Sequence, residues 1–200
     1  ERLNEFDRDK VRYNPPRDRL FAALDLSPFK ATRVCILGQD PYPNTKDSCG
    51  LAFSSPSKDF RPTLEMIFKE YQDDLGLPKP TSGKLDQWAK QGVLLWNVIP
   101  TCFWWESLSH EKWTEWEYLT KEILERLSQD TSCVFVALGS YAKRYLDKYV
   151  KEEDSVVIYV SHPSPRAIHM SKVPFLGSRL FSTINTKLVS SGLKTIDWKL

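Results

Sequence analysis

The sequence has little of several things. Its 200 residues include only four cysteines and three histidines. Cys35, Cys49, Cys102 and Cys133 form no CxxC pair and have no zinc-ligand spacing with His110, His162 or His169. These absences argue against a zinc module or a histidine-built metal centre. Cys35 and Cys133 lie inside apolar runs, so buried, reduced thiols are expected. With them goes an intracellular, reducing compartment: cytoplasm, nucleus or mitochondrion. No apolar run approaches ~18 residues, so no membrane-spanning helix is expected. The chain opens on charged residues (Glu1, Arg2, Glu5, Asp7), which is not a secretory signal. Repeats, low-complexity tracts and Gly/Ser linkers are missing. So is an excess of one charge sign: 28 basic side chains face 26 acidic ones, a net +2. That excludes a polybasic nucleic-acid binder, but the sum says nothing about how the charge is distributed.

What is there fits one α/β domain. Hydrophobic residues make up 41% and charged residues 27%. A chain of this length buries roughly 70% of its unfolded surface and needs no disulfide or metal to fold. Four short, β-branched-rich runs read as buried parallel strands: Arg33–Leu37, Val93–Trp96, Cys133–Leu138 and Val156–Val160. Between them apolar residues recur at helical spacing. The stripes are Leu64, Ile67, Phe68, Tyr71; Trp116, Leu119, Ile123, Leu127; Ala142, Tyr145, Leu146, Tyr149; and Phe181, Ile184, Leu188. The alternation predicts a mostly parallel four-stranded sheet with helices on both faces.

Ligands of open α/β sheets bind outside the carboxyl ends of the strands. Here those ends run into GQDPYP (Gly38–Pro43), Asn97, GSY (Gly139–Tyr141) and SHPSP (Ser161–Pro165). The topology therefore delivers Asp40, Asn97, Ser140 and His162 to one edge. Asp40 either closes an Asx-turn or supplies a fixed carboxylate that orients water or stabilises a cation on a sugar. His162 lies in a loop stiffened by two prolines, as tight positioning of an imidazole requires. Asn97 either caps its strand or uses its amide, donor on one side and acceptor on the other, to read a planar ring's edge. Tyr42 and Phe53 could sandwich a flat heterocycle. Together these are parts of a nucleobase pocket.

Five collinear motifs carry a family resemblance: GQDPY with GLAFS (Gly50–Ser54), WAKQGVLLWN (Trp88–Asn97), GSYAK (Gly139–Lys143), HPSP (His162–Pro165) and IDWK (Ile196–Lys199). From about Arg33 to the C-terminus the chain resembles family 1 uracil-DNA glycosylase. Residues 1–32 match weakly, and the whole of 1–200 reads as a single glycosylase-like domain. The resemblance implies a monofunctional DNA-repair hydrolase that flips uracil out of DNA, cuts its N-glycosidic bond and uses no cofactor and no metal. Asp40 would position the water and stabilise the oxocarbenium-like sugar. His162 would donate to uracil O2. Asn97 would read N3–H and O4, Phe53 would stack on the base, Tyr42 would exclude a C5 methyl, and Gln39 would offer backbone contacts. Pro62 and Thr63, Gly139 and Ser140, and Ser164 match loops that grip phosphate. His110, in SLSH, matches a Ser-His at the rim of the site.

The expected partner is uracil-containing DNA, single- or double-stranded, with a proteinaceous inhibitor or a replication partner as further candidates. A monomer with no membrane contact is expected. Two positions depart from the family. Pro43 stands where histidine is usual, and Arg166 where a leucine wedges into the duplex. Arginine can stack or bind phosphate there. These departures keep open a second reading, a DNA-binding accessory module with the same fold and weak activity. A metal-dependent hydrolase built on Asp40 and His162 would have too few ligands. Trp104, Trp105, Trp113 and Trp116 read either as a local hydrophobic cluster or as a partner surface. The charge is also unevenly spread. Residues 101–130 carry three basic and seven acidic side chains, whereas residues 161–200 carry six basic and one acidic. The positive excess thus falls in the segment that begins with HPSP.

Overall fold

The computed structural model describes residues 2–130, 132–151, 155–167 and 173–200, with the backbone alone at Arg2 and Asp130. His169 and Lys172 lie outside the described residues. The helices are α1 (Arg2–Arg8), α2 (Ala22–Leu26), α3 (Pro62–Leu75), α4 (Asp86–Ala89), α5 (Thr114–Asp130), α6 (Ser140–Tyr149) and α7 (Leu180–Ser190). The strands are β1 (Tyr13–Asn14), β2 (Val34–Gly38), β3 (Val93–Asn97), β4 (Cys102–Phe103), β5 (Val134–Leu138) and β6 (Val156–Val160). β2, β3, β5 and β6 form one parallel sheet in the order β3-β2-β5-β6. The expected four-stranded, single-domain α/β architecture is the observed one.

The apolar runs form strands because both sheet faces are covered. Every residue of β2 and β5 is buried. Alternate side chains split between two cores. Val34, Ile36, Val93, Leu95, Val134 and Val136 pack under α3, α4, α7 and the C-terminal segment. Cys35, Leu37, Leu94, Trp96, Phe135 and Ala137 pack against α2, α5 and α6. Edge strand β6 is half-buried over most of its length. The four helical stripes face these cores, and Leu64, Phe68, Ile123, Leu127, Ala142, Ile184 and Leu188 are all but inaccessible. The closing IDWK motif belongs to the core. Trp198 is buried, its carbonyl accepts from Trp88 Nε1 (2.8 Å), and its own indole donates to Phe181 O (3.2 Å).

Two further features position the site. β1 pairs antiparallel with β4, Tyr13 opposite Phe103 and Asn14 opposite Cys102, which ties the N-terminal segment to the loop after β3. Helix α3 sends two acidic side chains toward the start of α7. Glu70 accepts the N–H groups of Gly177 (2.6 Å) and Arg179 (2.6 Å), and Asp74 accepts from Ser182 N (2.8 Å) and Oγ (2.5 Å). Carboxylates at a helix start satisfy its orphan amides and meet the positive end of its dipole. Cys35, Cys102 and Cys133 are buried and Cys49 is half-buried, all as free thiols. No helix among the described residues is long and apolar enough to cross a membrane.

Candidate active site

The strand order reverses beside β2. The chain leaves β2 toward β3 on one side and later returns to β5 on the other, so the crevice opens at their carboxyl ends. A cavity of about 200 Å³ lies there. Gln39, Asp40, Tyr42, Phe53, Asn97 and His162 all line it. The six residues expected to hold or cleave a base are thus brought together from four separate stretches of chain.

Local backbone geometry explains how they fit. Gly38, the last residue of β2, sits in register with Asn97, the last of β3. A Cβ on Gly38 would come under 3.0 Å from Asn97 Oδ1, 3.1 Å from Ala52 Cβ and 3.3 Å from Phe53 Cε2. Only glycine lets the amide and the aromatic ring share that corner. At Gly139 φ is +96°, and a Cβ would meet His162 Cβ at 2.9 Å. Phe53 itself holds a left-handed φ of 65°, uncommon for a bulky residue and a form of strain typical of binding sites. The Tyr42 hydroxyl donates to Phe53 O (3.2 Å) and joins the two aromatic walls. Burial raises the Tyr42 phenol well above its usual range, and the nearby Asp47 carboxylate adds to the effect.

Asp40 is tightly held. Its Oδ2 accepts from the Ser107 hydroxyl (2.6 Å) and the Leu108 N–H (2.7 Å), and its Oδ1 accepts from Gln39 Nε2 (3.0 Å). Ser107 also lines the cavity. The sequence singles out Trp104, Trp105, His110 and Trp113 around this stretch and gives no sign of these two donors. Desolvation lowers the His162 pKa below the ordinary imidazole value, and Asp40 pulls weakly the other way. The imidazole is therefore neutral near pH 7. Its ring lies 6.2 Å from that of Phe53.

Of the residues expected to take phosphate, Thr63 lines the cavity and Gly139 abuts His162. Pro62 is exposed at the first position of α3, and Thr63 beside it lines the cavity. Gly139 caps α6, whose first residue, Ser140, is exposed. Ser164 Oγ accepts the Ala167 N–H (3.3 Å), and Arg166 is exposed. Buried Asp47 accepts from Ser55 Oγ (3.1 Å) and pairs with the Arg61 guanidinium, fastening the loop after β2 to the approach of α3.

His110 is a correction. It is fully buried, its Nδ1 shares a proton with Thr101 Oγ1 (2.7 Å), and its ring stacks on Trp113 at 3.8 Å. Phe103 meets it edge-on at 4.3 Å, and Phe6 of α1 packs against both it and Trp113, at 6.0 and 5.6 Å. An imidazole enclosed this way braces the loop from within and does not touch DNA. The four tryptophans also divide. Trp116 is buried and Trp113 half-buried, while Trp104 and Trp105 are 39% and 61% exposed. Among the described residues no group of three or more His, Cys, Asp or Glu side chains could hold a metal ion.

A pocket lined by an amide, two aromatic rings, a fixed carboxylate and an imidazole, with the first turn of α3 in its wall, has the parts of a site for a base taken out of a nucleic acid strand. Residues 25–189 match the family model described as "Uracil DNA glycosylase superfamily". A uracil-DNA glycosylase of Xanthomonas campestris is 40% identical over 192 residues, covering 95% of this chain and 78% of that protein. The crystal structure of mimivirus uracil-DNA glycosylase superposes with a TM-score of 0.89 at 27% identity, covering 100% of this chain and 79% of that one. A variant of the mimivirus enzyme in complex with UGI superposes at 0.87 and 26% identity, covering 100% of this chain and 80% of that one. The chain belongs to the uracil-DNA glycosylase superfamily.

Proposed function

We propose that the six cavity residues divide the work of uracil excision among them. The protein is a DNA-repair hydrolase that releases uracil from DNA and leaves an abasic site, and the roles proposed are those the family resemblance implies, supported by the shared cavity. Asp40, fixed by Ser107, Leu108 and Gln39, lies beneath the sugar, where it orients water and stabilises the cation that forms as the C–N bond stretches. His162 stays neutral and donates an N–H to uracil O2 as negative charge builds on the departing base. Asn97 pairs with N3–H and O4. Cytosine presents the reversed pattern there and would leave buried groups unpaired, a penalty worth ~10⁴ or more in rate. Phe53 stacks on the ring, Tyr42 closes the space a C5 methyl would need, and Gln39 offers its backbone to the base.

Thr63, Ser140 and Ser164 take phosphates through their hydroxyls and the backbone N–H groups of the helix starts, while Pro62 and Gly139 shape the turns that present them. Arg166, exposed just beyond HPSP, fills the gap left by the extruded base. The observation that carries the reading is the convergence of Asp40, Asn97 and His162 on one cavity. Residues 1–200 act as one such domain, supported by structural similarity over the whole chain. An inhibitor that covers the same mouth is a candidate partner, since the mimivirus variant was solved with UGI.

The test is uracil release from uracil-containing DNA in excess EDTA, read as alkali-labile abasic sites. Release should persist in EDTA, and Asp40→Asn should lower kcat by at least ~10²-fold. Full activity in Asp40→Asn would overturn the role given to that carboxylate. DNA binding without release would favour the accessory-module reading.

A further inference from the structure

The tryptophans on the rim have no role in the reading above. Trp104 and Trp105 project outward although Trp113 and Trp116 already close the core beneath them. The loop that carries the outward pair is built with care. Trp104 N–H donates to Arg12 O (3.1 Å), Trp105 N–H to Pro43 O (2.6 Å) and Glu106 N–H to Phe103 O (3.2 Å). Trp105 and Leu108 both hold left-handed backbone, with φ of 64° and 59°. A bulky side chain in that region is strained, and the surrounding bonds must over-determine it. The result is to hold a large indole in solvent, which core packing does not require.

The position of the loop points to the occupant. Two residues past Trp105, Ser107 lines the catalytic cavity and bonds Asp40. Two residues of chain span at most ~7 Å, about the reach of one nucleotide. The two indole rings lie 5.6 Å apart at 48°, and the Arg12 guanidinium covers Trp104 at 4.7 Å, which leaves Trp105 as the open face. Glu106, adjacent and exposed, disfavours a phosphate at this spot, so the face suits a base and not the sugar-phosphate chain. Resting on the glycosylase reading, we infer that Trp105, backed by Trp104 and Arg12, is a stacking platform for an unpaired base that flanks the extruded uracil in single-stranded DNA. In duplex DNA the flanking bases remain paired and cannot reach it. The platform therefore contributes binding on single-stranded substrate alone.

The test compares the wild type with Trp105→Gly and Trp105→Phe on single-stranded and duplex oligonucleotides that carry one uracil. Glycine tolerates the left-handed conformation, so the loop and its bonds to Asp40 are retained. Stacking of this kind corresponds to about a 5- to 150-fold effect per base. KM on the single strand should rise by such a factor in Trp105→Gly, with kcat and the duplex KM moving far less. The increase should be nearly independent of salt, because no phosphate contact is lost. Trp105→Phe should recover most of the affinity. Equal losses on both substrates would mean that the loop only supports Asp40, and an unchanged single-strand KM would leave the pair to a protein partner; either result overturns the inference. Failure of the wild type to release uracil would instead strike the glycosylase reading itself.

Discussion

Replacing Gly38 with alanine tests whether the corner shared by β2 and β3 sets base recognition. The added Cβ would fall under 3.0 Å from Asn97 Oδ1 and press on Phe53 at 3.3 Å. Gly38 does not hold a left-handed φ, so alanine is tolerated by the backbone and the side-chain contact is the whole perturbation. The amide must retreat by about 0.5–1 Å, and misplacement on that scale costs up to ~10²-fold in rate. We expect kcat/KM on uracil-containing DNA to fall by roughly 10- to 100-fold, about 1.4–2.7 kcal/mol of transition-state stabilisation. The melting temperature should change little, since the contact lies at the sheet edge facing the cavity. The route of the effect can be isolated. If it runs through the amide, Gly38→Ala combined with Asn97→Ala should be hardly worse than Asn97→Ala alone. Losses that multiply in the double variant, or a Gly38→Ala enzyme within threefold of its parent, would refute the reasoning.

Three further outcomes follow from the structure. Ser107→Ala removes one of the two donors on Asp40 Oδ2, and a hydrogen bond to a charged group is worth ~1.5–3 kcal/mol, so single-turnover excision should slow by roughly 10- to 150-fold with little change in KM. In the role proposed for it His162 acts as the neutral imidazole, and burial depresses its pKa, so activity should fall only below pH 6.5, as the ring protonates. The unfolded chain takes up that proton more readily than the folded one, so stability should also decline as pH drops below 6.5. An acid limb of the pH–rate profile above that value would contradict both statements. Asp47→Ala frees Ser55 and the half-exposed Arg61, and calorimetry should show a loss of about 1–3 kcal/mol, or several degrees in melting temperature.

The sheet was legible in the sequence because its strands are buried on both faces, which forces short, continuous, β-branched runs such as Val34–Leu37 and Val134–Leu138. The cavity was legible because its lining side chains Asp40, Asn97 and His162 sit one to three residues past the ends of such runs. What escaped was long-range. Ser107 reaches Asp40 across 67 residues of chain, and no periodicity encodes a hydrogen bond of that span. His110 was placed at the rim by its motif, but whether its ring faces outward depends on Phe6, in a helix that the charged N-terminal segment did not announce. The tryptophans divide by element: Trp116 belongs to the apolar stripe of α5, whereas Trp104 and Trp105 lie in the loop before it, where no periodicity says which side chains face inward.

Helix α3 connects regions treated separately until now. Its first turn carries Pro62 and Thr63 at one lip of the cleft, and two turns later Glu70 and Asp74 hold the backbone of Gly177, Arg179 and Ser182. That segment runs back through Phe175, whose N–H donates to the Ser161 hydroxyl (2.9 Å) one residue before His162. The two lips of the cleft are thus bolted to a single strut. An inward swing of the α3 lip alone has to break the carboxylate bonds of Glu70 and Asp74, and one of the His162 lip alone has to break the Phe175–Ser161 bond.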